Sequence, residues 1–115
     1  MASSKLQNYL RTYRKRSGLS QDEVAFLLGC QSGTKVSRYE RFSRQPSLET
    51  VFAYETIFGT PARELLAGAY QKIATATEKR AQLLAQKLSA AKPDRTTARK
   101  LQVLQAMSSP AKSTV

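Results

Sequence analysis

The sequence contains no histidine, no tryptophan and a single cysteine among its 115 residues. The lack of histidine excludes histidine-based acid–base catalysis and histidine-ligated metal sites. One cysteine forms neither an internal disulfide nor a thiolate cluster, which favours an intracellular, cytoplasmic protein. No apolar run approaches the ~20 residues of a transmembrane helix, and the amino terminus lacks the apolar segment of a signal peptide. We therefore expect no membrane partner.

Acidic residues are also scarce, with 8 Asp and Glu against 19 Lys and Arg, for a net charge of +11. Residues 1–68 hold 10 basic and 6 acidic side chains, whereas residues 69–115 hold 9 and 2. Eight of the nine aromatic residues precede residue 60. A basic surplus of this size indicates a polyanionic partner, with nucleic acid preferred to an anionic membrane surface. We expect a packed domain over 1–68, a basic helical extension over 69–107 and a disordered tail over 108–115.

Apolar side chains recur at helical spacing along the chain and no strand pattern is present, so we predict an all-α protein. The predicted helices cover residues 5–17, 20–28, 32–41, 48–58, 61–67, 69–91 and 95–107. Their predicted amino-terminal caps are Ser20, Ser32, Ser47, Thr60 and Asp94, and their predicted stops are Gly18, Gly29, Gly59 and Pro93. Tyr39 and Phe52 are expected in the core.

The second and third predicted helices are separated by a short turn, which is the local plan of a helix-turn-helix. Ala25 is small where the two helices must approach each other, and Gly29 allows a left-handed conformation at the turn. Cys30 fits the turn as a small apolar plug. Val36 is expected to pack between the two helices.

The ordered motifs in this region carry a resemblance to a known family. They are Gly18-Leu19-Ser20-Gln21, Val24-Ala25, Leu28-Gly29, Val36-Ser37-Arg38-Tyr39-Glu40-Arg41 and Pro46-Ser47-Leu48. Through them, Leu10–Leu66 resembles a lambda-repressor-like, Cro/Xre-type DNA-binding domain. The resemblance implies a five-helix domain that binds double-stranded DNA, and here this domain would be followed by a helical extension.

The resemblance also implies roles for individual residues. The positions that match base-reading residues are Gly33, Thr34, Lys35, Ser37 and Arg38. Those that match phosphate contacts are Gln21, Ser32, Arg41, Ser43 and Arg44. Arg14 and Glu40 match a structural ion pair. Arg38 is the first candidate for base reading, since an arginine pairs bidentately with guanine.

Two positions depart from the family pattern. Ala25 and Val36 are eleven residues apart, one more than is common, so the turn holds one extra residue and the base-reading positions shift by up to one. Phe42 stands where the family usually has glycine. A positive φ would strain phenylalanine there, and we expect the loop to differ locally instead.

The extension leaves three interpretations open. Its apolar stripe, which includes Tyr70, Ile73, Leu84 and Leu88, would fold back on the core, pair with another copy or dock a partner protein. A homodimer is favoured, because two recognition helices then meet successive major grooves.

The leading functional hypothesis is a sequence-specific transcriptional regulator that acts as a dimeric repressor at the nucleoid. An antitoxin with an autoregulatory DNA-binding domain and a protein-interaction module are the alternatives. No enzyme is expected, since Asp22 and Glu23 are explained as first-turn acids that the helix dipole favours. No metal and no cofactor are expected either.

Overall fold

A computed structural model describes residues 6–91 and 94–107 of the chain, and within these ranges every regular element is an α-helix. The helices are α1 (Leu10–Ser17), α2 (Gln21–Leu28), α3 (Thr34–Glu40), α4 (Leu48–Phe58), α5 (Ala62–Leu65), α6 (Ala67–Ser89) and α7 (Arg95–Met107). The predicted all-α class with a helical carboxy-terminal extension is confirmed. The predicted stop at Pro93 and the tail over 108–115 lie outside the described residues.

The backbone divides into two compact units, with the boundary between Gln71 and Lys72. The first unit holds α1 to α5 and the beginning of α6. The second holds the rest of α6 and α7. Because α6 starts at Ala67 and ends at Ser89, it lies two residues earlier at each end than predicted.

Several helix ends follow from local sequence. The Ser20 hydroxyl accepts the N–H of Glu23 at 3.0 Å, and the Glu23 carboxylate accepts the N–H of Ser20 at 2.8 Å, so the predicted capping box is confirmed. Ser47 caps α4 in the predicted position. Asp94 accepts the N–H of Thr97 at 2.7 Å, and this hydrogen bond lowers the pKa of the Asp94 carboxyl. The stops at Gly18, Gly29 and Gly59 are likewise confirmed.

The predicted start of α1 is wrong, because the preceding segment uses its backbone groups elsewhere. The N–H of Tyr9 donates to the Leu65 carbonyl at 2.7 Å, and the Leu6 carbonyl accepts the N–H of Gly68 at 2.9 Å. The helix therefore begins only at Leu10. The buried side chain of Asn8 accepts the N–H of Leu10 at 3.1 Å.

Two predicted caps are also wrong. Gly33, not Ser32, occupies the cap position of α3, which begins at Thr34. The start of α5 lacks a cap from Thr60, whose hydroxyl donates to the Phe58 carbonyl at 3.1 Å. In its place a carboxylate oxygen of Glu55, on α4, accepts the N–H of Ala62.

The core of the first unit is formed by side chains from all five of its short helices: Leu10, Val24, Ala25, Val36, Tyr39, Tyr54 and Leu65. The core positions predicted for Val36 and Tyr39 are confirmed. The prediction for Phe52 is wrong, since 55% of that residue is exposed. At about 100° per residue, Phe52 lies ~160° around α4 from the buried Tyr54.

Tyr54 brings a polar atom into this core. Its ring packs edge-on against Tyr39, with centroids 6.3 Å apart, and stacks on Phe58 at 5.9 Å. Its hydroxyl oxygen is buried and has no hydrogen-bond partner among the residues that the structure describes. Burial raises the pKa of Tyr54 well above its ordinary value, so the hydroxyl stays neutral.

We expect Tyr54→Phe to raise the free energy of unfolding by about 1 kcal/mol, because it removes a hydroxyl that loses its water on folding and gains no partner. Urea denaturation followed by circular dichroism measures the change. Tyr70→Phe, which removes a hydroxyl from an exposed tyrosine, is the matched control. A loss of stability in Tyr54→Phe alone would show that the hydroxyl has a partner after all.

Candidate nucleic-acid interface

α2 and α3 form a helix-turn-helix around a small apolar contact. Val24 and Ala25 on α2 and Val36 on α3 are all buried. Gly29 ends α2 in the left-handed conformation with φ 81°, and the N–H of Cys30 donates to the Ala25 carbonyl at 2.8 Å. These bonds close the turn and return the chain across α2.

Gly33, which precedes α3, lies directly against the start of α2. Its N–H donates to the Asp22 carboxylate at 2.8 Å. A Cβ atom at this position would lie 2.8 Å from that same oxygen and 3.0 Å from the Cβ of Gln21. Gly33 is therefore buried where α3 begins against α2, and only glycine fits there without displacing its neighbours.

Arg14 and Glu40 connect α1 to the end of α3 through a two-pronged ion pair. The Nε–Oε2 distance is 2.6 Å and the Nη2–Oε1 distance is 3.1 Å. Only 11% of the Arg14 side chain and 3% of the Glu40 side chain are exposed. The hydrogen bonds to Glu40 raise the pKa of the Arg14 guanidinium, so the guanidinium stays charged.

Two further hydrogen bonds complete this network. Arg14 Nη1 donates to the Leu19 carbonyl at 3.1 Å, and the Gln21 side-chain amide donates to Glu40 Oε1 at 3.1 Å. Sequence reasoning assigned Gln21 to a phosphate and missed its bond to Glu40. It also missed the hydrogen bond that the Gly33 N–H donates to Asp22 and the one that the Asn8 amide donates to the Tyr39 carbonyl at 3.0 Å. Their partners lie 11 to 31 residues away, so no local signal identifies them.

The remaining side chains of α3 face outward. Thr34, Lys35, Arg38 and Arg41 are exposed, and the half-buried Ser37 accepts a hydrogen bond from Arg41 Nε at 3.1 Å. Between Thr34 and Leu48, all of which the structure describes, Glu40 is the only acid. Because Glu40 is buried against Arg14, α3 itself carries exposed positive charge and no exposed acidic side chain.

The loop after α3 extends this surface. The N–H and the hydroxyl of Ser43 both donate to the Arg38 carbonyl, at 3.0 and 3.2 Å, and Arg44 is exposed. On the other side, the Ser32 hydroxyl donates to Thr34 Oγ1 at 3.2 Å and is also exposed. We call the exposed residues Thr34, Lys35, Arg38, Arg41 and Arg44 the α3 face.

Phe42 ends α3 in an unfavourable backbone conformation. Its φ is 65°, and the paired bonds from the Phe42 N–H to the Tyr39 carbonyl and from the Ser43 N–H to the Arg38 carbonyl form a Schellman motif. The expectation that the loop would avoid a positive φ is therefore wrong. A side chain here costs about 1–2 kcal/mol relative to glycine.

Within residues 6–91 and 94–107, no group of three or more His, Cys, Asp or Glu side chains is placed to hold a metal ion. None of the helices described in those ranges combines the length and the apolar character that are needed to cross a bilayer.

Residues 6–67 match the family model of the helix-turn-helix domain, and the chain belongs to this family. The match confirms the helix-turn-helix resemblance and indicates a DNA-binding regulator of a typically non-enzymatic family. No curated protein and no solved structure matches the chain at a significant level.

We expect Glu40→Gln to lower the free energy of unfolding by roughly 3–5 kcal/mol, because it leaves the enclosed Arg14 guanidinium without its anion. Urea denaturation measures the loss. Glu64→Gln, which removes the same charge from an exposed site on α5, is the control. Equal stability of the two variants would contradict a structural role for the pair.

Proposed function

We propose that the protein is a sequence-specific regulator of transcription that inserts α3 into the major groove of double-stranded DNA and represses as a dimer. The observation that carries the proposal is the α3 face, whose basic side chains are exposed and have no exposed acidic side chain among them. Hydrogen bonds hold α3 at its start, to Asp22, and at its end, to Arg14. The major groove admits an α-helix and presents a distinct pattern of donors and acceptors for each base pair. Such a regulator would act where the genomic DNA lies, at the nucleoid of a cytoplasm.

The exposed positions of α3 divide between base reading and phosphate binding. We assign base reading to Thr34, Lys35, Ser37 and Arg38, with Arg38 pairing with guanine. Gly33 is left out of this set because it is buried and its N–H is used by Asp22. The base-reading set therefore begins one position later than the family resemblance implies.

Phosphate binding is assigned to the residues at the edges of this surface. Arg41, Ser43 and Arg44 follow the reading positions and Ser32 precedes them. Gln21 keeps one amide N–H for a phosphate, since the other donates to Glu40. These contacts would hold the helix in register on the duplex without reading its sequence.

We expect Arg38→Ala to weaken binding to the preferred site by roughly 1–3 kcal/mol and to relax selection at one base position. The preferred site is obtained by selection from random duplexes, and affinity is measured by fluorescence anisotropy. Arg63→Ala, which removes the same charge from exposed α5, is the control. Unchanged affinity and preference in Arg38→Ala would show that another residue reads the base, and wild-type chain that selects no site would favour a protein-interaction module.

The extension supplies the proposed dimer contact. Within α6, Ile73 is 65% exposed and Leu83 is 61% exposed, and Val103 of α7 is 54% exposed. Large apolar side chains that stay exposed on a helical extension are available for contact with another chain. A second copy is favoured because one helix-turn-helix covers only one half-site.

For a truncated chain we choose an end slightly beyond the predicted boundary at residue 68. The N–H of Gly68 and the N–H of Ala69 donate to the carbonyls of Leu6 and Gln7, at 2.9 and 3.1 Å. A cut after Gly68 would remove the second of these bonds. Since the compact unit ends at Gln71, a chain of residues 1–71 keeps both.

We expect the chain of residues 1–71 to remain helical, to be monomeric and to bind the selected site more weakly than the full chain. Loss of the partner removes the linked second half-site, and loss of basic side chains reduces the log–log salt slope by ~0.9 for each missing phosphate contact. Sedimentation equilibrium and salt titrations separate the two effects. Unchanged particle mass and salt slope would contradict both roles of the extension.

An antitoxin is the second candidate, and the same exposed apolar residues of α6 and α7 favour it. In that case a different protein, and not a second copy, would cover them. A full-length chain that sediments as a monomer while binding a single half-site would favour this alternative over the homodimer.

A further inference from the structure

Phe42 is the one residue of the helix-turn-helix region that has a side chain and a positive φ. It occupies the Schellman position where glycine is preferred, with φ 65°. Strain of this kind persists only where the surrounding structure holds it, and residues in sparsely populated regions cluster at active sites and ligand-binding sites. A function of the phenyl ring would account for phenylalanine at this position.

Packing within the protein does not account for the ring. Phe42 remains 42% exposed and lies outside the buried core, whose aromatic residues on α3 and α4 are Tyr39 and Tyr54. A phenylalanine that served the core would be enclosed as those two are. The ring therefore keeps much of its apolar surface for another contact.

The neighbours of Phe42 indicate what that contact is. Arg41 precedes it, Ser43 follows it and Arg44 comes next, and all three are exposed. Under the proposed function, these three residues bind the DNA backbone. Between successive phosphates, that backbone presents the carbon atoms of deoxyribose, which form an uncharged and largely apolar surface.

We propose that the Phe42 ring packs against deoxyribose between the phosphates bound by Arg41 and Arg44. This inference rests on the proposed DNA binding and adds an apolar, sequence-independent contact to it. The Schellman motif fixes the backbone from which the ring projects, because the Phe42 and Ser43 N–H groups are both bonded to α3. A glycine would relieve the backbone but would leave the sugar surface uncovered.

Two substitutions separate the ring from the backbone. Phe42→Ala removes the ring and keeps a side chain at positive φ, whereas Phe42→Gly removes both the ring and the strain. We expect Phe42→Gly to melt about 4 °C or more above Phe42→Ala. We expect both variants to bind the selected duplex about fivefold more weakly than wild type, as befits the loss of one partly exposed aromatic contact.

Salt dependence distinguishes an apolar contact from a phosphate contact. The affinity loss of Phe42→Ala should be the same at every salt concentration, because no counterion is involved. Arg44→Ala should instead reduce the log–log salt slope by ~0.9. Phe26→Ala, which removes an aromatic side chain that is 80% exposed on α2, is the matched control and should bind as wild type does.

Circular dichroism and the melting temperature establish that each variant is folded before binding is measured. Wild-type affinity in both Phe42 variants would overturn the inference while leaving the proposed function intact. A changed preference at one base position would also overturn it, in favour of a base contact. Wild-type chain that selects no duplex would overturn the proposed function and this inference together.

Discussion

The ion pair between Arg14 and Glu40 is the interaction on which the arrangement of the first unit depends. Two opposite charges removed from water require each other, and either one alone would be expensive to bury. Here the guanidinium and the carboxylate meet through two hydrogen bonds, and the Leu19 carbonyl and the Gln21 amide each add one more. The pair therefore joins α1, the start of α2 and the end of α3 at one point.

The same pair shapes the electrostatics of the surface. Glu40 would place a negative charge among the cations of α3 if it faced water. Turned inward against Arg14, it stabilises the fold and leaves Lys35, Arg38 and Arg41 exposed without an exposed acid between them. The inward position of Glu40 thus supports the orientation of α3 and leaves the exposed charge of its outer surface positive.

The two compact units depend on different physics. The first has an enclosed core and close backbone approaches, as at Gly33 and Gly68, where a Cβ atom would meet neighbouring atoms. The second consists of amphipathic helices that keep large apolar side chains in water, among them Ile73, Leu83 and Val103. The first unit also exposes large apolar side chains, among them Phe26 and Leu48, but these surround an enclosed core. Under the proposed function, the first unit reads the DNA and the second supplies the dimer contact together with further basic side chains.

The sequence by itself determined the all-α class, the order of the helices and the helix ends whose partners lie within one turn. Ser20 with Glu23, Ser47 with Thr50 and Asp94 with Thr97 follow from residues three apart, and the backbone of a helix start brings such residues together. Motif resemblance added the pairing of Arg14 with Glu40 and the outward positions of α3.

Tertiary structure alone decided the features whose partners are distant in the chain. Gly33 became the cap of α3 because Asp22 reaches it from eleven residues away, and α1 starts late because residues 6–9 bond to the region around Leu65. Phe52 is exposed because Tyr54 occupies the buried face of α4. Phe42 is left-handed because α3 ends in a Schellman motif at this residue. Local patterns indicate the conformation that each residue prefers. Packing decides which of these preferences are met, since residues distant in the chain must fit together in one fold.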